Sequence, residues 1–281
     1  MSGYRELAAA DAYCRLLARH HYENFTVASR LLPARLRLDL ARVYAYCRFT
    51  DDLGDESGAG APDRLARWQE EVEDLFEGRA PSHPVLLALR ETVRRHDLPA
   101  RPFLHLIQAN LWDQEVASYE SWRALRAYCA VSAAPVGRLV LRLFGMDGPH
   151  VEKLSDDVCI GLQLANFAQD VTVDSARGRS YLLRPELDTG GVAGAVRCHC
   201  DRARRLLASG RELERLAPGR LRLQLALYRL GGLAILDAIA RAAYRTDAVR
   251  PRVSVGARAA LLLQAARTTA GGRHAGSAGA V

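Results

Sequence analysis

The sequence predicts an all-α protein organised as a single bundle of helices. Apolar residues recur at helical spacing along almost all of the 281 residues, whereas the alternation typical of strands is scarce. The composition, 49% apolar and 25% charged, is ordinary for a soluble globular protein. Connecting segments are short and none has the composition of a hinge. We therefore expect one domain over residues 1–270 and a disordered Gly/Ala/Ser-rich tail at 271–281.

The predicted helices have recognisable boundaries. The pattern at Leu36–Leu53 places Leu, Val and Tyr side chains on one stripe. Pro62 suits the first turn of the next helix, and Gly78 suits its end. Pro135 and Gly137 are expected to kink the long pattern at Ser121–Phe144. The other helices are predicted at Tyr4–His20, Val85–Asp97, Phe103–Ser118, Val151–Asp174, Val192–Ser209, Leu221–Arg245 and Ala257–Arg267.

The distribution of charges and cysteines indicates where the protein resides. Arg5, Glu6 and Asp11 stand where a secretory signal needs an apolar core. No uncharged apolar run approaches the ~20 residues of a membrane span, since Asp237 interrupts Leu230–Ile239, the longest candidate. The six cysteines lack the density and spacing of a disulfide framework. A cytoplasmic protein with reduced thiols is expected.

Basic charge is concentrated in the C-terminal third of the chain. From Asp201 onward there are 15 Arg against 5 Asp and Glu, whereas residues 1–200 hold 24 basic against 27 acidic side chains. An anionic partner is expected near this region, and the lack of aromatic interleaving or of a recognised motif argues against nucleic acid. Apolar-basic helices can lie on anionic lipid, so peripheral contact with the inner membrane face is also expected.

The end of the Leu36–Leu53 helix carries the first acidic segment, which we define as Asp51, Asp52 and Asp55. Asp51 and Asp55 are four residues apart and share a helix face, where like charges are destabilising by about 0.2–0.5 kcal/mol. The partial negative charge of the helix C-terminus is also unfavourable for carboxylates. A cation is therefore expected here. Oxygen ligands without His or Cys favour Mg²⁺, which recruits phosphate oxygens from a substrate.

The second acidic segment, defined as Asn166, Asp170 and Asp174, also predicts a site. Its members are spaced by four and form a polar stripe on one helix face, with Gln163 a turn earlier. A solvated helix face is the alternative interpretation, because unpaired surface carboxylates are common. The surrounding helix is mostly apolar, however, and a polar stripe on such a helix is typical of a lined cavity.

Two such segments on separate helices can face each other across a central cavity. Together they can hold several Mg²⁺ ions and neutralise a diphosphate, and the ions act as Lewis acids on this leaving group. A departing diphosphate leaves an allylic carbocation, which apolar and aromatic walls keep from water. The candidate wall residues are Phe25, Tyr44, Phe167 and Tyr244.

These residues lie in regions that resemble the squalene/phytoene synthases, all-helical enzymes of isoprenoid diphosphates. The resemblance extends roughly from His20 to Arg252, with both regions in the family's order. It implies a single-domain isoprenoid-synthase bundle with a central cavity. The segments that carry the resemblance are His21–Phe25, Leu31–Pro33, Val43–Arg48 running into Asp51–Glu56, Leu162–Phe167, Gln169–Val171 with Asp174, and Gly178–Leu182.

Within the family, the chain is most similar to the bacterial hydroxysqualene synthases of hopanoid biosynthesis. Tyr22–Phe25, Ser132–Leu139 and Gln169–Asp174 carry this similarity. The implied enzyme ionises presqualene diphosphate, opens the cyclopropylcarbinyl cation and adds water. The similarity implies Mg²⁺ as cofactor, no NADPH, and pathway-partner enzymes as further partners.

Three positions depart from that branch. Ala134 stands where Asn is usual, Ala168 where a bulkier residue is usual, and Leu183 where Pro is usual. If Ala134 and Ala168 line the cavity, they enlarge it or shift the point where the cation is quenched. The reaction therefore stays open between hydroxysqualene formation, head-to-head condensation of farnesyl diphosphate to presqualene diphosphate or dehydrosqualene, and a diverged terpene cyclase or prenyltransferase. A non-catalytic subunit that binds isoprenoid diphosphates is the alternative outside enzymes.

The resemblance also assigns roles to individual residues. Both acidic segments would bind Mg²⁺, about three ions with bound diphosphate. Gln163 would position the isoprenoid or a water, while Tyr44 and Tyr244 would border the cation or else be core aromatics. Arg48 would contact diphosphate or form an intrahelical ion pair. The other residues expected at the phosphate end are His21, Arg179 and Tyr181, with Arg250 and Arg252 adding charge there or belonging to a basic loop. The remaining predicted substrate contacts are Phe25, Ala134, Val136, Gly137, Phe167 and Ala168.

Overall fold

The computed structural model describes residues 2–20, 32–56, 58–254, 256 and 260–266. Within these ranges the ordered elements are helices apart from two short strands, so the predicted all-α class is confirmed. The predicted tail at 271–281 and the predicted site residues His21 and Phe25 lie outside the described residues. The single-domain organisation stays a prediction.

Most helices begin and end within a few residues of the predicted positions. Pro62, Pro84 and Pro102 each stand in a first helical turn, where the missing N–H has no partner to lose. Near Pro135 the chain breaks between two helices rather than kinking one. The helices are α1 (Ser2–His20), α2 (Ala34–Glu56), α3 (Ala61–Phe76), α4 (Pro84–His96), α5 (Arg101–Glu115), α6 (Trp122–Ser132), α7 (Ala134–Leu143), α8 (Pro149–Gln169), α9 (Val171–Ala176), α10 (Arg184–Ala208), α11 (Gly210–Leu216) and α12 (Gly219–Arg241). A 3₁₀ turn covers Gly58–Gly60, and residues 260–266 are helical as well.

A short parallel pair of strands is absent from the sequence prediction. β1 (Ser118–Tyr119) pairs with β2 (Ser180–Leu183), and the Ser180 N–H donates to the Ala117 carbonyl at 2.7 Å. The helix predicted over Phe103–Ser118 therefore ends three residues earlier, at Glu115, the last residue of α5. Strands of two and four residues are too short to display the alternation from which strands are predicted.

One compact unit of the chain comprises Met1–Val116 and Ala130–Asp147, and α2 lies at its centre. This helix contacts α1, α3, α4, α5 and α7. Its fully buried Tyr46 donates a hydrogen bond to the Phe103 carbonyl at 3.0 Å and stacks on Trp68 with ring centroids 5.8 Å apart. Buried aromatic packing thus fixes the helix that ends in the first acidic segment.

A buried ionic network joins α1, α2 and α4 within the same unit. The Asp39 carboxylate is 1% exposed and accepts hydrogen bonds from Thr92 at 2.9 Å and Arg95 at 2.6 Å, while His96 Nε2 lies 3.0 Å away. Arg42 extends the network to α1, because its Nε and Nη2 donate to the two carboxylate oxygens of Asp11 at 2.8 and 3.0 Å. Desolvation raises the pKa of Asp39, but the hydrogen bonds outweigh it and hold this pKa below its usual value.

The other compact unit comprises Ala117–Cys129 and Gly148–Val281. Here α8, which carries most of the second acidic segment, lies against α10, α11 and α12. Glycine permits this close approach at two places. A Cβ at Gly161 would lie 3.0 Å from Leu207 Cγ, and a Cβ at Gly232 would lie 2.7 Å from Leu162 Cδ2. Larger residues would force these helices apart.

Two features bear on the location predicted from the sequence. All six cysteines are free, and Cys14, Cys129 and Cys200 are buried. Two helical stretches, Trp122–Leu143 and Gly219–Arg241, are long and apolar enough to cross a membrane, with mean hydropathies of 1.2 and 1.4. About half of the most apolar part of each stretch is buried inside the protein, as in core helices of soluble proteins, so both are weak candidates for membrane spans.

Candidate active site

The first acidic segment occupies the last turns of α2. Because α2 runs to Glu56, Asp51, Asp52 and Asp55 all have helical backbone, and Asp51 and Asp55 are one turn apart. Asp51 and Asp55 are exposed, whereas Asp52 is half-buried. The segment thus presents carboxylates to solvent from a helix whose preceding turns are anchored in the core.

Asp51 has an unusual electrostatic environment. Its side chain reaches solvent, yet enough protein surrounds the carboxylate to desolvate it, and this desolvation is the largest influence on its pKa. A hydrogen bond from Asn110 and the charge of Arg48 lower the pKa, whereas repulsion from Asp55 and Asp52 raises it, and the result is about 7. A cation would relieve this strain because it favours the charged form of the carboxylate.

Two amides on α5 contact the last turns of α2. Nδ2 of Asn110 donates to Oδ1 of Asp51 at 3.3 Å and to the Leu106 carbonyl at 3.0 Å. One turn later, Nε2 of Gln114 donates to the Gly54 carbonyl at 3.1 Å. Neither amide is among the site residues predicted from the sequence. Their spacing of four is nevertheless the signal that identified the second acidic segment, so the pattern could have found them.

Arg48 forms an intrahelical ion pair with Asp52, which is the alternative that its sequence position left open. Tyr44 is half-buried one turn before Arg48 and shares its helix face. This face of α2 therefore carries a phenol, a guanidinium and a carboxylate in succession. A contact between Arg48 and diphosphate stays a prediction.

The second acidic segment spans the junction of α8 and α9. Asp170 (φ −104°, ψ 23°) separates the two helices, so the continuous helix predicted over Val151–Asp174 is wrong at this residue. The Asp170 N–H still donates to the Asn166 carbonyl at 2.8 Å, and the Asp174 N–H donates to the Asp170 carbonyl at 2.9 Å. These bonds preserve the one-turn spacing of the three side chains. Asn166 is exposed, while the two carboxylates are half-buried.

A loop from the C-terminal part of the chain covers Asp170. Arg250 forms a bidentate ion pair with Asp170, in which Nη2 lies 3.0 Å from Oδ2. The buried Gln169 Nε2 donates to the carbonyl of the next loop residue, Pro251, at 2.6 Å. Two consecutive residues at the end of α8 therefore hold two consecutive loop residues. The expectation that Arg250 adds positive charge near this segment agrees with the contact, and Arg252 is exposed on the same loop.

A cluster of aromatic rings adjoins the second acidic segment. Phe167 and Tyr181 are nearly parallel with centroids 3.9 Å apart, and Tyr128 stacks on Tyr181 at 5.4 Å. Tyr119 lies 6.0 Å from Tyr181 and completes the aromatic cluster. All four rings are buried. Phe167 and Tyr181 are predicted substrate contacts, whereas the other two are not, and ring faces of this kind attract positive charge.

His199 holds the backbone next to the aromatic cluster. Its buried ring places Nε2 3.0 Å from the Tyr181 carbonyl and Nδ1 3.2 Å from the Ala195 carbonyl. The Glu186 carboxylate lies 3.6 Å from Nδ1. Desolvation raises the pKa of Glu186, but hydrogen bonds from His199 and Arg202 outweigh it and lower the pKa to about 2.

The remaining predicted site residues differ in how they are enclosed. The methyl groups of Ala168 and Ala134 pack against protein, with exposed fractions of 0% and 1%. Arg179 donates its backbone N–H to the Asp174 carbonyl at 2.9 Å, which joins the turn before β2 to the second acidic segment. Tyr244 lies beyond α12 with a positive φ of 61°. The half-buried members of this group are Gln163, Val136, Gly137, Arg179 and Tyr244.

The donor atoms in both acidic segments fit Mg²⁺. They are carboxylate and amide oxygens, and the repulsion at Asp51 is what a cation would relieve. In the part of the chain that the structure describes, no three His, Cys, Asp or Glu side chains converge to hold a metal ion by themselves. Mg²⁺ accommodates this arrangement because it keeps several waters and shares a few carboxylates with substrate phosphates. Either segment could therefore bind Mg²⁺ jointly with a diphosphate.

Comparison with known proteins decides the family. The family model for squalene/phytoene synthase matches residues 18–258, a range that includes both acidic segments and the aromatic cluster. The chain belongs to the squalene/phytoene synthase family. The resemblance inferred from the sequence is thereby confirmed.

Solved structures of squalene/phytoene synthase relatives show the same architecture. Squalene synthase HpnC from Alicyclobacillus acidocaldarius is 43% identical, with a TM-score of 0.80, over 85% of this chain and 96% of that one. A dehydrosqualene synthase in complex with a ligand is 22% identical, with a TM-score of 0.86, over 96% of this chain and 99% of that one. At the lower identity the likeness concerns the fold alone. The chain therefore has the helical isoprenoid synthase fold.

Curated relatives of the squalene/phytoene synthase family match a shorter stretch. Phytoene synthase 3 of Zea mays is 32% identical over 67% of this chain and 46% of its own length. The phytoene synthase of Rhodobacter capsulatus is 33% identical over 63% of this chain and 53% of its own length. The chain thus spans about half the length of these relatives.

Proposed function

We propose that this protein is an isoprenoid synthase that ionises presqualene diphosphate with Mg²⁺ and converts it with water to hydroxysqualene and diphosphate. The 43% identity to squalene synthase HpnC over 85% of the chain carries the proposal. Both acidic segments support it, because all six of their polar side chains are present. A subunit that only binds isoprenoid diphosphates would have no reason to retain them all.

Mg²⁺ would supply charge neutralisation of the diphosphate and Lewis-acid assistance to its departure. The first and second acidic segments would hold it through their carboxylate and amide oxygens. Arg48 and Arg250 neutralise Asp52 and Asp170. When cations take over these carboxylates, both guanidinium groups become available to bind phosphate oxygens.

The bond between the cyclopropylcarbinyl carbon and the diphosphate oxygen breaks, and its electron pair leaves on the oxygen. The cation opens its three-membered ring, and a water oxygen then forms the new C–O bond and loses a proton to solvent. The aromatic cluster would stabilise the positive charge and limit the access of water until ring opening. Because no hydride is transferred, NADPH has no part in this reaction.

Head-to-head condensation of two farnesyl diphosphates, giving presqualene diphosphate or dehydrosqualene, is the second candidate. The two curated relatives, both named phytoene synthases, favour a condensing enzyme. No observation on the chain favours a diverged terpene cyclase or prenyltransferase.

Two incubations of the purified protein separate these candidates. Presqualene diphosphate and farnesyl diphosphate are each supplied with Mg²⁺, with and without NADPH, and products are identified by mass spectrometry. We expect hydroxysqualene from presqualene diphosphate, in equal yield with and without NADPH. Accumulation of presqualene diphosphate or dehydrosqualene from farnesyl diphosphate alone would favour the second candidate. Failure to consume either substrate would contradict both.

Removal of one carboxylate from either acidic segment tests the Mg²⁺ assignment. Asp51→Ala and Asp170→Ala should each retain under a tenth of the wild-type rate, a loss above ~1.4 kcal/mol, because the diphosphate charge is then less compensated. Asp63→Ala, which removes an exposed carboxylate in the first turn of α3, is the matched control. Circular dichroism should show intact helices in all three variants. A rate above a tenth in both site variants would contradict the assignment.

We also propose that the protein works at the inner face of a membrane, as a peripheral cytoplasmic enzyme. Its substrate and product would both carry long apolar chains, and its C-terminal third is basic. Enzymes that supply the diphosphate or consume the alcohol would meet it at that surface.

A further inference from the structure

We propose that Asn110 is the positioning residue of the first acidic segment and that it orients the Asp51 carboxylate for a cation. The inference rests on the proposed function, because it concerns the same Mg²⁺ site. Asn110 lies on α5, outside both acidic segments and outside the sequence regions that carry the family resemblance.

The geometry of the Asn110 amide fixes its role as a donor. Nδ2 uses its two hydrogens on Asp51 Oδ1 at 3.3 Å and on the Leu106 carbonyl at 3.0 Å. If the amide were reversed, its oxygen would face a carboxylate and a carbonyl, neither of which can donate. Asn110 is 8% exposed, so water competes little for these bonds.

Gly54 makes the close approach of Asn110 possible. A Cβ at position 54 would lie 2.3 Å from Asn110 Oδ1 and 3.0 Å from its Cγ. Because Gly54 has no side chain, the Asn110 amide has room beside Asp51. One turn further along α5, Gln114 Nε2 donates to the backbone carbonyls of Gly54 and Asn110, both at 3.1 Å.

Holding one oxygen of Asp51 restricts the rotation of its carboxylate. An exposed aspartate at the end of a helix would otherwise have to be ordered when a cation binds, at the expense of affinity. Outer-shell hydrogen bonds of this kind orient metal ligands, and their loss weakens metal binding by about 10- to 100-fold. Asn110 would therefore act on the cation through Asp51 without contacting the substrate.

Two single variants on α5 separate this role from general packing. Asn110→Leu removes the donor to Asp51 at similar volume, whereas Gln114→Met removes a neighbouring amide that bonds only backbone carbonyls. Binding of Mn²⁺ in place of Mg²⁺ is measured by electron paramagnetic resonance with inorganic diphosphate present, and thermal unfolding is measured in parallel. Asn110→Leu should weaken Mn²⁺ binding about tenfold or more, and Gln114→Met less than about twofold.

A pair of variants at Gly54 provides the second test. Gly54→Ala should displace the amide from Asp51, and thus lower both the unfolding temperature and Mn²⁺ affinity. In the double variant Gly54→Ala/Asn110→Ala the clash is relieved, so stability should recover. The Mn²⁺ affinity should stay as low as in Asn110→Ala alone, because the donor is still missing. Recovery of affinity together with stability would overturn the inference.

The remaining outcomes distinguish this inference from the proposed function. Equal Mn²⁺ affinity in Asn110→Leu and the wild type would overturn the role of Asn110 and leave the proposed function standing. A loss in Gln114→Met as large as in Asn110→Leu would also overturn it, since packing alone would then explain both. A wild-type protein that binds no Mn²⁺ with diphosphate present would contradict the proposed function and the inference together.

Discussion

Asp51 and Asp170, one from each acidic segment, have hydrogen-bond partners of different charge. Desolvation and the repulsion of neighbouring carboxylates raise the pKa of Asp51 to about 7, although the hydrogen bond from the neutral amide of Asn110 lowers it. Asp170 is instead paired with the Arg250 guanidinium. A cation at Asp51 would therefore relieve repulsion directly, whereas a cation at Asp170 must displace an arginine. We infer that Asp51 is better prepared for a cation than Asp170.

Ala134 and Ala168 give a prediction at the residue scale. The sequence suggests that these small residues enlarge a cavity, but their exposed fractions of 1% and 0% favour packing positions. Ala168→Leu should lower the free energy of unfolding by about 1–3 kcal/mol through overpacking, as measured by urea denaturation. Ala134→Asn should also be destabilising, because it buries an amide.

Product analysis of the same two variants completes this test. Product ratios from presqualene diphosphate should match the wild type if both positions are packing sites. A higher alcohol fraction in Ala134→Asn, without loss of stability, would instead show that this position faces the reacting cation.

At the scale of elements, the long helices could be predicted from the sequence and their interruptions could not. Proline and apolar spacing place α3 and α4 within a residue or two. The break at Asp170 escapes prediction because apolar residues, Val171 and Val173, continue the pattern beyond it. The residues that contact the chain at this break, Arg250 and Pro251, lie some 80 residues away in the sequence. Both acidic segments are visible as local patterns. Asn110 also belongs to a polar pair spaced by four, but its contact with Asp51 on another helix is not visible in the sequence.

The ionic network around Asp39 predicts a large effect on stability. Removing this carboxylate leaves Thr92 and the partly exposed Arg95 without their acceptor, whereas Arg42 keeps an ion pair on α1. Asp39→Ala should therefore lower the free energy of unfolding by about 1–3 kcal/mol, because buried hydrogen-bonding groups lose their partner. Glu70→Ala, an exposed control in the middle of α3, should stay within about 0.5 kcal/mol of the wild type. Urea denaturation at neutral pH measures both, and a loss under about 1 kcal/mol in Asp39→Ala would contradict the prediction.

Glu186 on α10 gives a prediction of pH dependence. Its pKa is lowered from 4.5 to about 2 in the folded protein. A lowered carboxyl pKa stabilises the fold fully above the unfolded value, and the contribution disappears as pH falls through the folded value. The stability difference between the wild type and Glu186→Gln should therefore be constant at neutral pH and shrink between about pH 4.5 and 2. Urea denaturation across that range tests this, and a difference that grows as pH falls would contradict it.

At the scale of the whole molecule, acidic and basic side chains are distributed unevenly along the chain. The carboxylates of the first acidic segment precede the basic excess, which begins at Asp201 and includes the Arg250 that covers Asp170. Within the basic part, Leu216 at the end of α11 is 49% exposed, close in sequence to the exposed Arg211 and Arg215. Because arginines are attracted to anionic lipid, we expect this end of α11 to contact such a surface.

Sedimentation with lipid vesicles tests whether the end of α11 contacts anionic lipid. The protein should bind vesicles that contain phosphatidylserine more strongly than neutral vesicles, and binding should weaken as salt is raised, because exposed charges are screened. Each arginine near an anionic surface contributes about 1 kcal/mol, so Arg211→Gln with Arg215→Gln should weaken binding by about 2 kcal/mol, roughly thirtyfold. The matched control, Arg123→Gln with Arg126→Gln, removes two exposed arginines from α6 and tests whether net charge alone matters. Equal losses in both double variants would mean that binding follows overall charge and that the end of α11 has no special part in it.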